Sequence, residues 1–182
     1  GYDTHTNQSG THERLLRDLA SSVKAFSDDI KAQGNSDRVL VMLNTLMDIS
    51  EAESGAMQLQ REPVPLADVV ARALDLYRDV ADAKGVALSA DAPSDVIVIG
   101  DRTRLEQVAA NLIDNAVKYT PAGGRVDVSV AGDAQRAQIV VRDSGAGIPA
   151  DELPRIFDRL FRGDRSRAER GLGLGLSLVK AV

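Results

Sequence analysis

The stretch Arg125 to Ala131 alternates strictly, with Val126, Val128 and Val130 on one side of an extended chain and Asp127 and Ser129 on the other. That period of two marks a strand with one face turned to a core. Arg136 to Arg142 follows at hairpin distance as its partner. A sheet with one apolar face has to be covered, and helical patterns precede and follow this one. The chain predicts a helix from about Pro65 to Lys84, with proline in its first turn and Gly85 just past its end. Asp101 caps another that reaches Tyr119, after which Pro121-Ala122-Gly123-Gly124 turns the chain. Met57 to Arg61 reads as a short extended piece, Val86 to Ser89 and Val96 to Ile99 as strands, and Leu172 to Val182 as a last helix. The fold class is therefore α+β, with helices layered on a mixed or antiparallel sheet.

What fills the core is narrowed by composition. Only 3% of residues are aromatic, so the core is aliphatic. There is no cysteine, which excludes a disulfide framework, a thiolate metal site and a cysteine nucleophile. With 22 Lys+Arg against 27 Asp+Glu the formal charge is −5, and no basic run is present to release counterions from nucleic acid or an anionic membrane. Apolar stretches such as Val96 to Ile99 fall far short of the ~20 residues that cross a bilayer, so no membrane segment is expected and the location predicted is cytoplasmic.

The first third is harder to assign. Leu16, Leu19, Val23, Phe26 and Ile30 recur at helical spacing before Gly34, and a second helix is expected from about Ser36 to Glu53, giving a helical hairpin. Val39-Leu40-Val41-Met42 also fits a strand, and periodicity over four residues does not choose.

Chemistry concentrates at three places. On the helix from Arg104 to Tyr119, Leu105, Val108, Leu112, Ala116 and Val117 face a core, while Asn111, Asn115 and Lys118 or Tyr119 share another face. Two carboxamides beside an ammonium suit a hydrated Mg²⁺ carrying phosphates. Next, Asp143-Ser144-Gly145-Ala146-Gly147 directly follows a strand, placing a carboxylate beside backbone that a flat ligand can approach closely. Finally, Gly171-Leu172-Gly173-Leu174-Gly175 runs into a helix start, where exposed amides cradle anions. It is neither a dinucleotide fingerprint nor a Walker loop, because no strand immediately precedes it and no Gly-Lys-Ser/Thr follows. Between the last two places, Phe161 to Arg170 is rich in charge and reads either as a lid or as a plain loop.

In order and spacing these residues resemble the sensor histidine kinases of two-component systems, from about Leu43 to Val182. Asn111 to Tyr119 is similar to the family's N box, Asp143 to Gly147 to its G1 box, Ile156-Phe157-Asp158-Arg159-Leu160-Phe161 to its F box and Gly171 to Gly175 to its G2 box. Leu43 to Gly55 resembles the end of the second helix of its dimerisation and phosphotransfer hairpin. The resemblance implies a Bergerat (GHKL) α/β sandwich over 56–182, preceded by a helical segment or hairpin. It implies ATP and Mg²⁺ as ligands, with Asn115 on the metal and Asn111 four residues earlier on the same face. Lys118 and Tyr119 would approach the phosphates and base, Asp143 would accept the adenine amino group, and Gly145 and Gly147 would shape the adenine pocket. Gly171, Gly173 and Gly175 would hinge over the phosphates, and Ile148, Phe157, Arg162, Leu172 and Leu174 complete the implied ATP site. ATPase relatives of this fold carry a Glu where this chain has Asn111, and a carboxamide is no general base. Transfer to a protein side chain is thus expected over hydrolysis.

The family's phosphoacceptor sits in a His-Glu-Leu-Arg-Thr-Pro-like stretch, which this sequence lacks. His12, followed by Glu13, is the candidate acceptor, and a histidine supplied in trans is the main expectation. Implied partners are a histidine-containing hairpin domain and a response regulator, with homodimers in the intact family. Residues 1–42 are expected to be a divergent or foreign segment, in which Asp3, His5 and the stretches Thr11 to Leu16 and Ser36 to Met42 are similar to a fragment of the alkaline-phosphatase and sulfatase superfamily. The family's sheet continues past the G2 helix, so the sheet expected here is unfinished. Two other functions fit the same motifs: a nucleotide-binding or dimerisation module without kinase activity, and a serine kinase of the anti-sigma-factor type.

Overall fold

The structure, a computed structural model, describes residues 36–54, 57–133, 135–163 and 173–182. The chain divides into two units, 1–44 and 45–182. The boundary falls inside helix α1 (Ser36–Glu53). The strand reading of Val39 to Met42 is thereby overturned, since all four residues are helical. The expected earlier helix from Leu16 to Ile30, together with Asp3, His5 and His12, lies outside the described residues.

In the second unit, strand β1 (Glu62–Pro65) leads into helix α2 (Leu66–Lys84). Strands β2 (Ala87–Asp91) and β3 (Ile97–Gly100) come next, then helix α3 (Arg102–Tyr119). Strands β4 (Arg125–Gly132) and β5 (Ala137–Asp143) form the hairpin, a 3₁₀ turn spans Leu153–Arg155, and helix α4 (Gly175–Ala181) closes the described chain. β4 is the centre of a three-stranded mixed sheet, parallel to β2 and antiparallel to β5. β1 and β3 form a separate antiparallel ribbon, with Val64 opposite Val98.

Two of these boundaries correct the sequence reading. The extended piece is β1 at Glu62–Pro65 and not Met57 to Arg61. Pro63 and Pro65 lack N–H groups, which a two-stranded ribbon tolerates because each strand has a free edge. The last helix starts at Gly175 and not at Leu172.

One aliphatic core joins the layers. Along α2, Leu66, Val69, Val70, Ala73, Leu74 and Ala81 are buried, the recurrence of an apolar stripe on one helical face. They meet Val126, Val128 and Val130 of β4 and Ala109, Ile113, Ala116 and Val117 of α3. Gly85 ends α2 in the left-handed conformation at φ 71°, its N–H bonded to the carbonyls of Ala81 and Asp82. The exits of α2 and α3 are then tied together. Gly123 N donates to Gly85 O at 2.8 Å, and Ala87 N donates to Gly124 O at 2.9 Å. Both helices so deliver the chain into the parallel neighbours β2 and β4.

Among the described residues no helix is long and apolar enough to cross a membrane.

Candidate functional site

The site is built on α3. Asp101 starts the helix by accepting the Arg104 N–H on Oδ1 at 3.1 Å, and its Oδ2 accepts the Gln60 N–H at 3.0 Å. Burial pushes the Asp101 carboxyl up, but the amides of Gln60, Arg104 and Thr103 and the Arg104 charge outweigh it and hold the group below its usual range. Arg104 is engaged at its other end too, with Nη1 2.8 Å from Asp48 Oδ2 on α1 and 2.9 Å from Gln107 Oε1.

The core-facing stripe of α3 is Ala109, Ile113, Ala116 and Val117. This corrects the expected stripe: Leu105 packs against the core, but Val108 and Leu112 are only half-buried. α3 lies against both α2 and α4, so its covered arc is wider than one stripe and is rotated from the expected one. Asn111, Asn115 and Lys118, spaced four and three apart, are half-buried off that stripe. Asn111 Nδ2 donates to the Gln107 carbonyl at 2.9 Å, which turns Oδ1 towards α4. A Cβ on Gly175 would stand 2.8 Å from that oxygen, so a larger residue at the start of α4 would push the Asn111 carboxamide aside. The Lys118 ammonium lies 5.0 Å from the centre of the Tyr119 ring.

The loop after β5 meets the other end of α3. Asp143 Oδ1 accepts the Gly145 N–H at 2.9 Å, leaving its second oxygen for another donor. A Cβ at Gly145 would lie 2.6 Å from the Tyr119 carbonyl oxygen, a contact no side chain could make without moving backbone. Ile148 and Phe157 stay exposed, whereas Leu174 is buried and anchors the start of α4. Gly173 faces the F-box turn, where its carbonyl accepts the Leu160 N–H at 3.0 Å. Arg162 is half-buried. The structure therefore brings Asn111 to Gly175, Tyr119 to Gly145 and Asp143, and Leu160 to Gly173. Gly171 and Leu172 lie outside the described residues.

Two contributors to this geometry were not read from the sequence as such. Gln107 fixes the Asn111 carboxamide through a main-chain carbonyl, which no side-chain pattern announces. Lys84 donates to the carbonyls of Val117 and Lys118 at 3.0 and 2.6 Å. Its place in the last turn of α2 is a capping signal, but its acceptors belong to another helix. A groove of about 390 Å³ between α2 and β2, lined by residues such as Val70, Leu74 and Ala90, shares no residue with the site.

A family described as histidine kinase-, DNA gyrase B- and HSP90-like ATPase matches residues 100–182, which hold α3, the loop after β5 and α4. A solved mycobacterial sensor histidine kinase, MprB, is 35% identical with a TM-score of 0.56 over 66% of this chain and 76% of that one. The chain belongs to the sensor histidine kinase family. Within that family it is 34% identical to the sensor-like histidine kinase SenX3 of Mycobacterium tuberculosis over 167 residues, 91% of this chain and 40% of SenX3. Full-length ShkA, solved in complex with AMPPNP, is 26% identical with a TM-score of 0.69, over 81% of this chain and 31% of that one. The site thus lies in the ATPase-like catalytic domain of a two-component sensor kinase. A match over 91% of the chain also reaches well into residues 1–42, so their expected likeness to the phosphatase and sulfatase superfamily finds no support.

Proposed function

We propose that residues 56–182 bind ATP with Mg²⁺ and transfer its γ-phosphoryl group to a histidine of a hairpin domain supplied in trans. The observation that carries this reading is the meeting of three sequence-distant segments around α3, with Gly175 against Asn111 and Gly145 against Tyr119. In it, the second oxygen of Asp143 accepts the adenine amino group, and Lys118 draws the phosphates over the last turns of the helix. Gly145 and Gly147 shape the adenine pocket, and Gly171, Gly173 and Gly175 hinge over the phosphates.

The donor set fits magnesium. Among the described residues no group of three or more His, Cys, Asp or Glu could hold a metal alone. Carboxamide oxygens on one helix face suit an ion that keeps its waters and takes the rest of its ligands from phosphates. Asn115 would hold it, with Asn111 Oδ1 on the same face; when bound, the ion neutralises charge on the phosphate oxygens. In the transfer, a ring nitrogen of the acceptor histidine forms a bond to the γ-phosphorus while the bond to the β–γ bridging oxygen breaks, and ADP leaves with that electron pair. Asn111, its carboxamide tied to Gln107, offers no base to activate water, which favours the side-chain acceptor.

The family likeness also supports the surrounding assignments. Residues 43–55 hold the end of a hairpin helix, the working assembly is a homodimer, and the phosphoryl group passes on to a response regulator. An ATP-consuming step of this kind belongs in the cytoplasm.

Calorimetric titration with a non-hydrolysable ATP analogue, with and without Mg²⁺, tests the binding step. Saturable binding strengthened by Mg²⁺ is expected, and a folded sample that binds nothing refutes the reading. Incubation with ATP and a supplied hairpin domain tests the transfer: acid-labile, base-stable phosphate is expected. Acid-stable phosphate would instead identify a serine kinase, and binding without any transfer a nucleotide-binding module.

A further inference from the structure

Lys84 lies in the last turn of α2, outside every motif that carries the family likeness. Its ammonium nevertheless reaches 33 and 34 residues along the chain to the carbonyl oxygens of Val117, at 3.0 Å, and Lys118, at 2.6 Å. The last turn of any helix leaves carbonyls without partners inside the helix, and it carries the negative end of the helix dipole. On α3 that end coincides with Lys118 and Tyr119, the residues assigned to phosphates and base. An uncompensated helix C-terminus would repel the anion that Lys118 attracts. We propose that Lys84 is a positioning residue for the nucleotide's phosphates. It neutralises the end of α3 and fixes the turn that carries Lys118.

Lys84 acts through the main chain of α3, whose carbonyls its ammonium bonds. Thr120 completes the cap, its Oγ1 donating to the Ala116 carbonyl at 2.7 Å while fully buried. The two caps do different work. Thr120 adds a neutral hydrogen bond, whereas Lys84 brings a charge, and only the charge distinguishes a triphosphate from a nucleoside. The inference rests on the ATP-site reading above.

The test is the affinity of the 182-residue chain for AMPPNP, ADP and adenosine, for the unaltered protein and for Lys84→Met, Lys84→Arg and Lys118→Met. Lys84→Met keeps the aliphatic stem and removes the charge. We expect it to weaken AMPPNP about tenfold, ADP less and adenosine not at all, and Lys84→Arg to restore most of the loss. Unchanged AMPPNP affinity in folded Lys84→Met overturns the proposal, and so do equal losses for AMPPNP and adenosine, the mark of a merely structural cap. Should Lys84→Met not fold, Lys84→Arg carries the test: retained AMPPNP affinity supports the role, and parallel loss of both ligands refutes it. If the unaltered chain binds none of the three, the site reading falls and this proposal with it. If Lys118→Met loses AMPPNP while the Lys84 variants do not, the proposal alone falls.

Discussion

In the proposed site Asp143 divides its carboxylate between two tasks: one oxygen holds the Gly145 amide, and the other is assigned to the adenine amino group. Asp143→Asn keeps the shape but presents a donor at one of those positions. It should weaken AMPPNP by roughly 10- to 100-fold, the worth of one hydrogen bond to a charged group, while leaving the circular-dichroism melt nearly unchanged. An unfolded Asp143→Asn would make the residue structural and remove it from the adenine site. For Asn115→Ala the readout is different: titrations with and without Mg²⁺ should become alike, and a preserved Mg²⁺ effect would deny Asn115 the metal. Gly145→Ala sets a methyl against the Tyr119 carbonyl and should cost about 1–3 kcal/mol in a denaturant titration, because backbone on both sides must shift.

At the level of elements, the best-read segments are those whose local chemistry and tertiary role agree. Asp101 at the start of α3 and the alternating valines of β4 each announce their element, and both form as expected. Asp101→Ala should cost about 1 kcal/mol, more if the bond to Gln60 adds to the cap. Because the folded carboxyl titrates below its unfolded value, this stability is fully present above the unfolded value, about pH 4. It fades as pH falls through the folded value, so unaltered and Asp101→Ala chains should converge in stability on acidification. β1 was misplaced because Pro63 and Pro65 carry two meanings: a proline opens a helix as readily as it sits in a strand edge. The pairing of Asp48 with Arg104 was equally hidden, since two charges 56 positions apart bear no pattern. Both side chains are only about one-fifth exposed, so a double-mutant cycle should return a coupling near the upper end of the ~0–1 kcal/mol found for surface pairs.

For the molecule as a whole, each of the three motifs is short and local in sequence, while their convergence depends on how α3 lies between its neighbours. The sequence could not show that Gly175 would rest against Asn111, or that Lys84 would end a helix other than its own. The same packing makes Ile113 the natural probe of overall stability. It is fully buried between the layers, and Ile113→Ala should cost about 2–5 kcal/mol, read as a shift of the denaturation midpoint at unchanged slope.

The junction of the two helix exits bears on how such a chain can change over evolutionary time. Pro121-Ala122-Gly123-Gly124 has the composition of a surface turn, the kind of place where extra residues are usually absorbed at small entropic cost. Here Gly123 and Gly124 are bonded across to Gly85 and Ala87. An added residue would break both bonds, separate the entries to two neighbouring strands and shift the end of α3 with them. Length variation should therefore accumulate at the tip of the β4–β5 hairpin and be rare between α3 and β4.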